Sequence, residues 1–255
     1  ADEVAALYSA GNGKFYGTKA LISSPILIPN LKAWYGNYIN NGTLRTPLTG
    51  STNVTQWDDL SGNAFHLDNV SGTTTYEATT KGILLTNGCL YNLNHNIVTG
   101  NTARTIFTVA EATNTSTLTD TFHLGLYDGN NHEWGECMRN TDYTIASNNG
   151  HARWNVTNSN NTKYLFTTTL NGTSIYNNAS VRRNGLSLAR SSGTNATLSN
   201  YVGIIVGGYF GVGTYTPVKR GSGLTVSEII IYDRLLTNAE IGQVENWLKN
   251  KYSLT

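Results

Sequence analysis

Leu224-Thr225-Val226-Ser227-Glu228-Ile229-Ile230-Ile231-Tyr232-Asp233 is the stretch whose reading decides the fold. β-Branched residues dominate it, and Gly221 and Gly223 punctuate its start, which marks a strand. Leu224 and Val226 alternate with Thr225 and Ser227. Ile229, Ile230 and Ile231 are apolar on both faces, so that half needs cover on each side. Beyond it, Thr237 and Glu240, three residues apart, have the spacing of a capping box, in which two exposed amides are satisfied reciprocally. Ile241, Val244, Trp247 and Leu248 then share one helical face, and Gln243, Glu245, Asn246, Lys249 and Asn250 take the other. Lys249 and Lys251 place positive charge at the C-terminal end, where the helix dipole favours it. A strand buried on both faces and an amphipathic helix after it imply a β-sheet protein that this pair closes.

Composition agrees. The chain has 255 residues, enough for one large β-sandwich domain. Only 13% of residues are charged, about half the usual roughly 25%. Asn, Thr, Ser and Gly fill the polar positions, and 26 Gly with 15 Tyr suit many short strands and turns. Neutral polar side chains also suit work outside a cell. A formal net charge of +1 argues against a nucleic-acid or anionic-lipid partner. Cys89 and Cys137 permit one disulfide, but their apolar surroundings favour two buried free thiols. No apolar run approaches the ~20 residues of a membrane helix, and Ala1-Asp2-Glu3 lacks the basic lead of a signal peptide.

Residues 1–30 read as an N-terminal arm. Pro25 and Pro29 bracket Ile26-Leu27-Ile28, an extended piece that either lies on the sandwich or docks onto a larger assembly. The domain spans 31–255 and opens with Leu31-Lys32-Ala33-Trp34-Tyr35. A strand ends at Trp57, a tight turn uses Asp59, Ser61, Gly62 and Asn63, and a second strand starts at Phe65. Two short strands follow, over 74–78 and 82–85. Ile106, Thr108 and Ala110 oppose Phe107 and Val109 in the next one. Strands are expected over 122–127, 133–138, 143–146, 163–170, 174–177 and 180–183. Asn171-Gly172 marks a two-residue hairpin and Asn184-Gly185 a second candidate, since Asn-Gly accepts positive φ. Residues 201–206 are apolar throughout and read as a central strand.

Five segments in order carry a resemblance. They are Leu31 to Tyr35, the Val54-x-x-Trp57-x-Asp59-x-Ser61-Gly62-Asn63 turn, Ser180 to Gly185, Val202 to Gly207, and Val226 to Arg234 with its helix. The series resembles the concanavalin A-like lectin/glucanase superfamily, specifically the laminin G-like domains of bacteria and their phages, over about 31–255. The resemblance implies an all-β fold: a two-sheet antiparallel jelly-roll sandwich with a short C-terminal α-helix. It also implies a module that binds glycans or proteins and that some virion structural proteins carry.

Glycosidases of that superfamily share paired carboxylates on one strand, spaced Glu-x-Asp-x-x-Glu. Alternate strand positions let an acid and a base or nucleophile face one sugar bond. This chain has no such run. Glu133 and Glu136 are three apart and oppose each other across a strand, as do Glu228 and Asp233. No Gly-x-Ser-x-Gly elbow occurs, and the five histidines show no metal-ligand spacing. No cofactor is expected. Asp58, Asp59 and Asn63 could supply oxygens to a structural calcium on a rim loop, but Asx turns with the local backbone are favoured.

Sugar recognition calls for an aromatic face with hydrogen-bonding groups at its edge. Tyr209, Phe210 and Tyr215 in the Gly-rich 207–223 loop are candidates for exposure. Asn131, His132 and Trp134, in a stretch that reaches Arg139, form the second group, with Trp134 equally suited to the core. The expectation is therefore a non-enzymatic structural or adhesion protein. The leading form is a phage virion surface component, a capsid decoration or tail-associated part, held to capsid or tail proteins by residues 1–30 and binding surface glycans. Oligomerisation with itself stays open. The alternatives are a secreted or cell-surface bacterial carbohydrate-binding module and a glycoside hydrolase or lyase of the same fold.

Overall fold

Leu224–Tyr232 is a strand buried at every position. The rest of the chain explains how. The computed structural model describes residues 24–36, 52–93, 97–98, 102–113, 121–127, 134–147, 150–172, 174–196, 198, 203–210, 216–219 and 223–255. In chain order the strands are β1 (Leu31–Tyr35), β2 (Thr52–Asn53), β3 (Asn69–Glu77), β4 (Gly82–Asn92), β5 (Arg104–Ala112), β6 (Thr121–Tyr127), β7 (Trp134–Met138), β8 (Asp142–Ser147) and β9 (Gly150–Asn155). After β10 (Thr162–Leu170) come a helical turn α1 (Ile175–Asn178), β11 (Ala179–Arg183), β12 (Leu186–Ser187), β13 (Arg190–Thr194), β14 (Gly203–Val206), β15 (Gly208–Phe210), β16 (Pro217–Lys219), β17 (Leu224–Tyr232) and α2 (Asn238–Tyr252).

One hydrogen-bonded path runs β12-β11-β10-β5-β17-β4-β14-β6-β7-β8-β9-β13. It folds over at β4. Ile83–Leu85 pair with β17, whereas Leu90–Asn92 pair with β14, so β4 belongs to both sheets. Gly88 permits the turn-over: a Cβ there would sit 2.1 Å from the carbonyl oxygen of Thr73 on β3. Beyond Val226 the edge of β17 passes to β1, with Trp34 opposite Ile230 and Tyr35 opposite Ile229. The result is the expected antiparallel two-sheet sandwich with a C-terminal helix.

Alternation decides what each face meets. Ile106, Ala110, Phe166, Ile229 and Ile231 of the first sheet pack against Leu124, Leu126, Trp134, Tyr143 and Ile145 of the second. Tyr143 stacks on Phe166 with ring centroids 4.3 Å apart, directly across the sandwich. The opposite face of the first sheet presents Phe107, Val109, Leu165, Ile230 and Tyr232 to Ile241, Val244 and Leu248 of α2. Burying each of those helix side chains contributes about 1.5–3 kcal/mol. The capping box at Thr237 and Glu240 is formed as expected.

Several expectations change. Glu245, expected on the solvent face of the helix, is buried at 3% exposure. Thr167 and Arg182 are cross-strand neighbours on the sheet below, and both donate to Glu245 Oε1, at 2.9 and 2.8 Å. Asn171-Gly172 does not form a two-residue hairpin. Ser174 caps the α1 turn by accepting from the Asn177 amide, so helix replaces the strand expected at 174–177. The hydrogen bond from Asn178 Nδ2 to the Asn171 carbonyl, 2.6 Å, closes this longer loop. Asn184-Gly185 does make the tight turn, with φ of 49° and 87° between paired Arg183 and Leu186. The strands expected at 74–78 and 82–85 run longer, as β3 and β4.

The described end of the arm lies on the domain. Ile28 is buried at 4% exposure in the cluster beneath α2. Tyr232 Oη donates to the Pro25 carbonyl at 2.9 Å, and Arg234 Nε to that of Pro29 at 3.2 Å. Residues 1–23 lie outside the described residues. Cys89 and Cys137 are free and buried, as expected, and burial pushes the Cys89 thiol up to about 11.

Candidate functional site

The carboxylates come first, because they decide whether chemistry is on offer. On β7 the alternation turns Trp134, Glu136 and Met138 inward and Gly135 and Cys137 outward. Glu136 is fully buried; it accepts from Tyr143 Oη at 2.8 Å and Trp134 Nε1 at 3.2 Å, with His123 Nε2 at 3.4 Å. Burial, then the Glu136 charge, pushes the Tyr143 phenol well above its ordinary value. Glu228 is equally buried, accepting from Trp34 Nε1 at 2.6 Å and Tyr252 Oη at 2.5 Å. Both carboxylates are spent on holding elements together, and neither faces a groove. Asp233 pairs with Lys32 at 3.1 Å, and Glu133 lies outside the described residues.

Asp59 is a turn residue. Its oxygens accept from the amides of Trp34, Ser61 and Phe65 at 2.9, 2.9 and 3.0 Å and from Ser61 Oγ at 2.7 Å. That is the favoured Asx turn, extended to tie β1 to the turn. Asn63 points amide donors, not oxygen, at the Leu31 and Lys32 carbonyls.

The aromatic candidates separate. Trp134 is buried at 0% exposure and takes the core reading, and Phe210, expected to be exposed in its Gly-rich loop, is instead buried at 1%. Phe210 sits among Tyr127, Ile205 and Cys89, because the β15–β16 ribbon folds over the outer face of the second sheet there. Tyr209 is half-buried against Phe122, ring centroids 5.4 Å apart. Asn131, His132 and Tyr215 lie outside the described residues.

Among the described residues the ribbon does not reach β8, β9 and β13, and a cleft of about 310 Å³ lies on them. Its lining is Arg139, Thr144, Ala146, Ser147, Gly150, His151, Arg153 and Thr194. Register assembles it. Thr144 of β8 stands opposite Arg153 of β9, Ala146 opposite His151, and Thr194 of β13 opposite His151 on the other side. Ala152 and Trp154, the alternate β9 residues, go into the core.

The cleft is cationic. Arg153 Nε is buried with no hydrogen-bond partner. Desolvation, then the charges of Arg153 and Arg139, hold the His151 imidazole below its ordinary 6.5. Asp142, the one carboxylate felt by His151, accepts from Thr144 Oγ1 at 2.6 Å. Hydroxyls of Thr144, Ser147 and Thr194 complete a lining that can bind but has no aligned carboxylate pair. Of this lining only Arg139 falls within the stretches expected to bind, and the sequence signal for the rest is the alternation of His151 and Arg153 with Ala152 and Trp154.

No family model matches the chain, and no curated protein matches it in sequence. In structure it is similar to the binding domain of botulinum neurotoxin serotype D/C VPI 5993, with TM-score 0.59 and 16% identity over 88% of this chain and 53% of that one. A botulinum neurotoxin type C structure, whose cell entry depends on two ganglioside molecules, gives 0.58 and 14% over 86% and 51%. The serotype D ligand-binding domain in complex with N-acetylneuraminic acid gives 0.57 and 12% over 88% and 53%. The chain thus spans about half the length of these domains, and what they share with it is the β-sandwich fold.

Proposed function

We propose that the chain is a non-enzymatic carbohydrate-binding module that adheres through the outer face of its second sheet. The observation that carries this reading is the open polar cleft on β8, β9 and β13, on a scaffold whose candidate catalytic carboxylates Glu136 and Glu228 are sealed in structural networks. The likeness to domains that engage gangliosides and N-acetylneuraminic acid supports a sandwich used for glycan adhesion. The test is the full chain on a glycan array, with bound glycans recovered and weighed. Saturable binding to a defined subset at unchanged mass is expected. Absence of binding, or a cleaved product, overturns the reading.

We further propose display on a virion surface, as a capsid decoration or tail-associated part of the laminin G-like kind. The five-segment resemblance and the low charge of the chain support it. A secreted bacterial module is the rival. Because residues 24–30 pack on the domain, the docking segment under test is 1–23. Labelling of purified particles by antibody, lost on deletion of 1–23 from an otherwise folded chain, is expected. Unlabelled particles, with the chain in the culture medium, would decide for the rival.

A further inference from the structure

Resting on the carbohydrate-binding reading, we infer that the β8–β9 cleft selects acidic saccharides, sugars carrying a carboxylate or sulfate group, and that Arg153 and Arg139 hold that group. Two observations converge. First, among the described residues the lining contains no Trp, Tyr or Phe, so they offer none of the stacking platform on which neutral sugars rely. Affinity has to come from polar groups. Second, one of those polar groups, Arg153, is a cation short of an acceptor. Arg153 lines the cleft and its buried Nε has no hydrogen-bond partner, so the guanidinium lacks a countercharge that an oxyanion in the cleft would supply. The planar fork of an arginine accepts a carboxylate or sulfate in two parallel hydrogen bonds, which fixes orientation as well as charge.

The surrounding groups fit the same ligand. Asp142 is the acid within electrostatic reach of His151, and its Oδ1 is engaged by Thr144 Oγ1. His151 stays neutral near pH 7 and can exchange hydrogen bonds with sugar hydroxyls, as can Ser147 and Thr194. The sugar ring would lie over Ala146 and Gly150, a methyl group and a bare backbone that leave room for it.

The experiment uses the full chain on an array of neutral, carboxylated and sulfated glycans, followed by calorimetric titration of the strongest ligand. Its neutral counterpart (methyl-esterified or desulfated) and sodium sulfate alone are titrated alongside. Expected are hits concentrated among acidic glycans, at least tenfold weaker binding of the neutral counterpart, and at least tenfold weaker binding by Arg153→Gln. Arg153→Lys, which keeps the charge and loses the fork, should fall between. Titration of the His151 imidazole by NMR should show its pKa rising when the acidic glycan binds, which also reports that each variant is folded. Hits confined to neutral glycans overturn this inference and leave the adhesion reading standing; no hits overturn both. Acidic hits indifferent to Arg139→Gln and Arg153→Gln remove the cleft from the account. Sulfate alone binding as tightly as the glycan means an adventitious ion only, and overturns the sugar.

Discussion

The ammonium of Lys251, in the last turn of α2, lies 2.8 Å from Oε2 of Glu228 in β17, a carboxylate with no exposed surface. Trp34 Nε1 and Tyr252 Oη donate to the same group, so β1, β17 and α2 are joined at one buried charge. Lys251→Met leaves that charge without its cation and should cost about 3 kcal/mol, as breaking a buried ion pair does. Glu228→Gln combined with Lys251→Met should cost less than Lys251→Met alone. Urea unfolding of the three variants measures it, and simple additivity would show that the two side chains do not act as a pair.

At the other end of α2 the Arg234 guanidinium, then the Thr237 amide and hydroxyl, hold the Glu240 carboxyl down at about 2 against an ordinary 4.5. A carboxyl with a depressed folded pKa adds stability above its unfolded value, and that contribution disappears as pH falls through the folded value. Thermal melts should therefore show a loss between about pH 4.5 and 2 that Glu240→Gln reduces. Thr237→Ala removes the other half of the box and should cost about 1 kcal/mol at neutral pH.

Lys163 follows the same sign at higher pH. Burial, only partly offset by Glu111, pulls its ammonium down to about 8 from 10.5, while Nζ donates to the Thr80 carbonyl and to Ser227 Oγ. Between those values the unfolded chain holds a proton that the folded chain has released, so stability rises with pH. The stability difference between the parent and Lys163→Met should grow in favour of the parent from about pH 8 to 10.5. Taking the difference cancels the tyrosines and Cys89, which are common to both. A flat difference would place the ammonium in solvent.

In the cleft, Arg153→Gln takes away one of the two positive charges that lower His151. The imidazole midpoint followed by NMR should move up, yet stay below 6.5 because desolvation is the larger cause. A midpoint unmoved by the substitution would separate the two side chains.

Local patterns carried much of the fold. The capping box at Thr237, the Asp59 turn, the Asn184-Gly185 hairpin and the opposed faces of β5 are interactions between residues close in sequence, and each formed where its residues indicated. Asn171-Gly172 shows the limit. Its turn chemistry was sound, but Ser174 offered the next amides a cap, and the chain took a helical turn before pairing with β10.

Alternation along a strand states that two faces differ; it does not state what covers either. Trp134 suits either face in sequence, while Phe210 and Glu245 look like surface residues, and each is buried by an element far along the chain: the opposite sheet, the body beneath the β15–β16 ribbon, and the β10–β11 pair. The same covering leaves His151 and Arg153 as the floor of an open cleft. The sequence by itself determined the strand and helix periods, the caps and the turns, because these arise from steric and hydrogen-bonding preferences a few residues wide. Only the tertiary structure decided which polar face was sealed and which stayed available, because that depends on where a sheet folds over at Gly88 and which distant segment comes to rest on it.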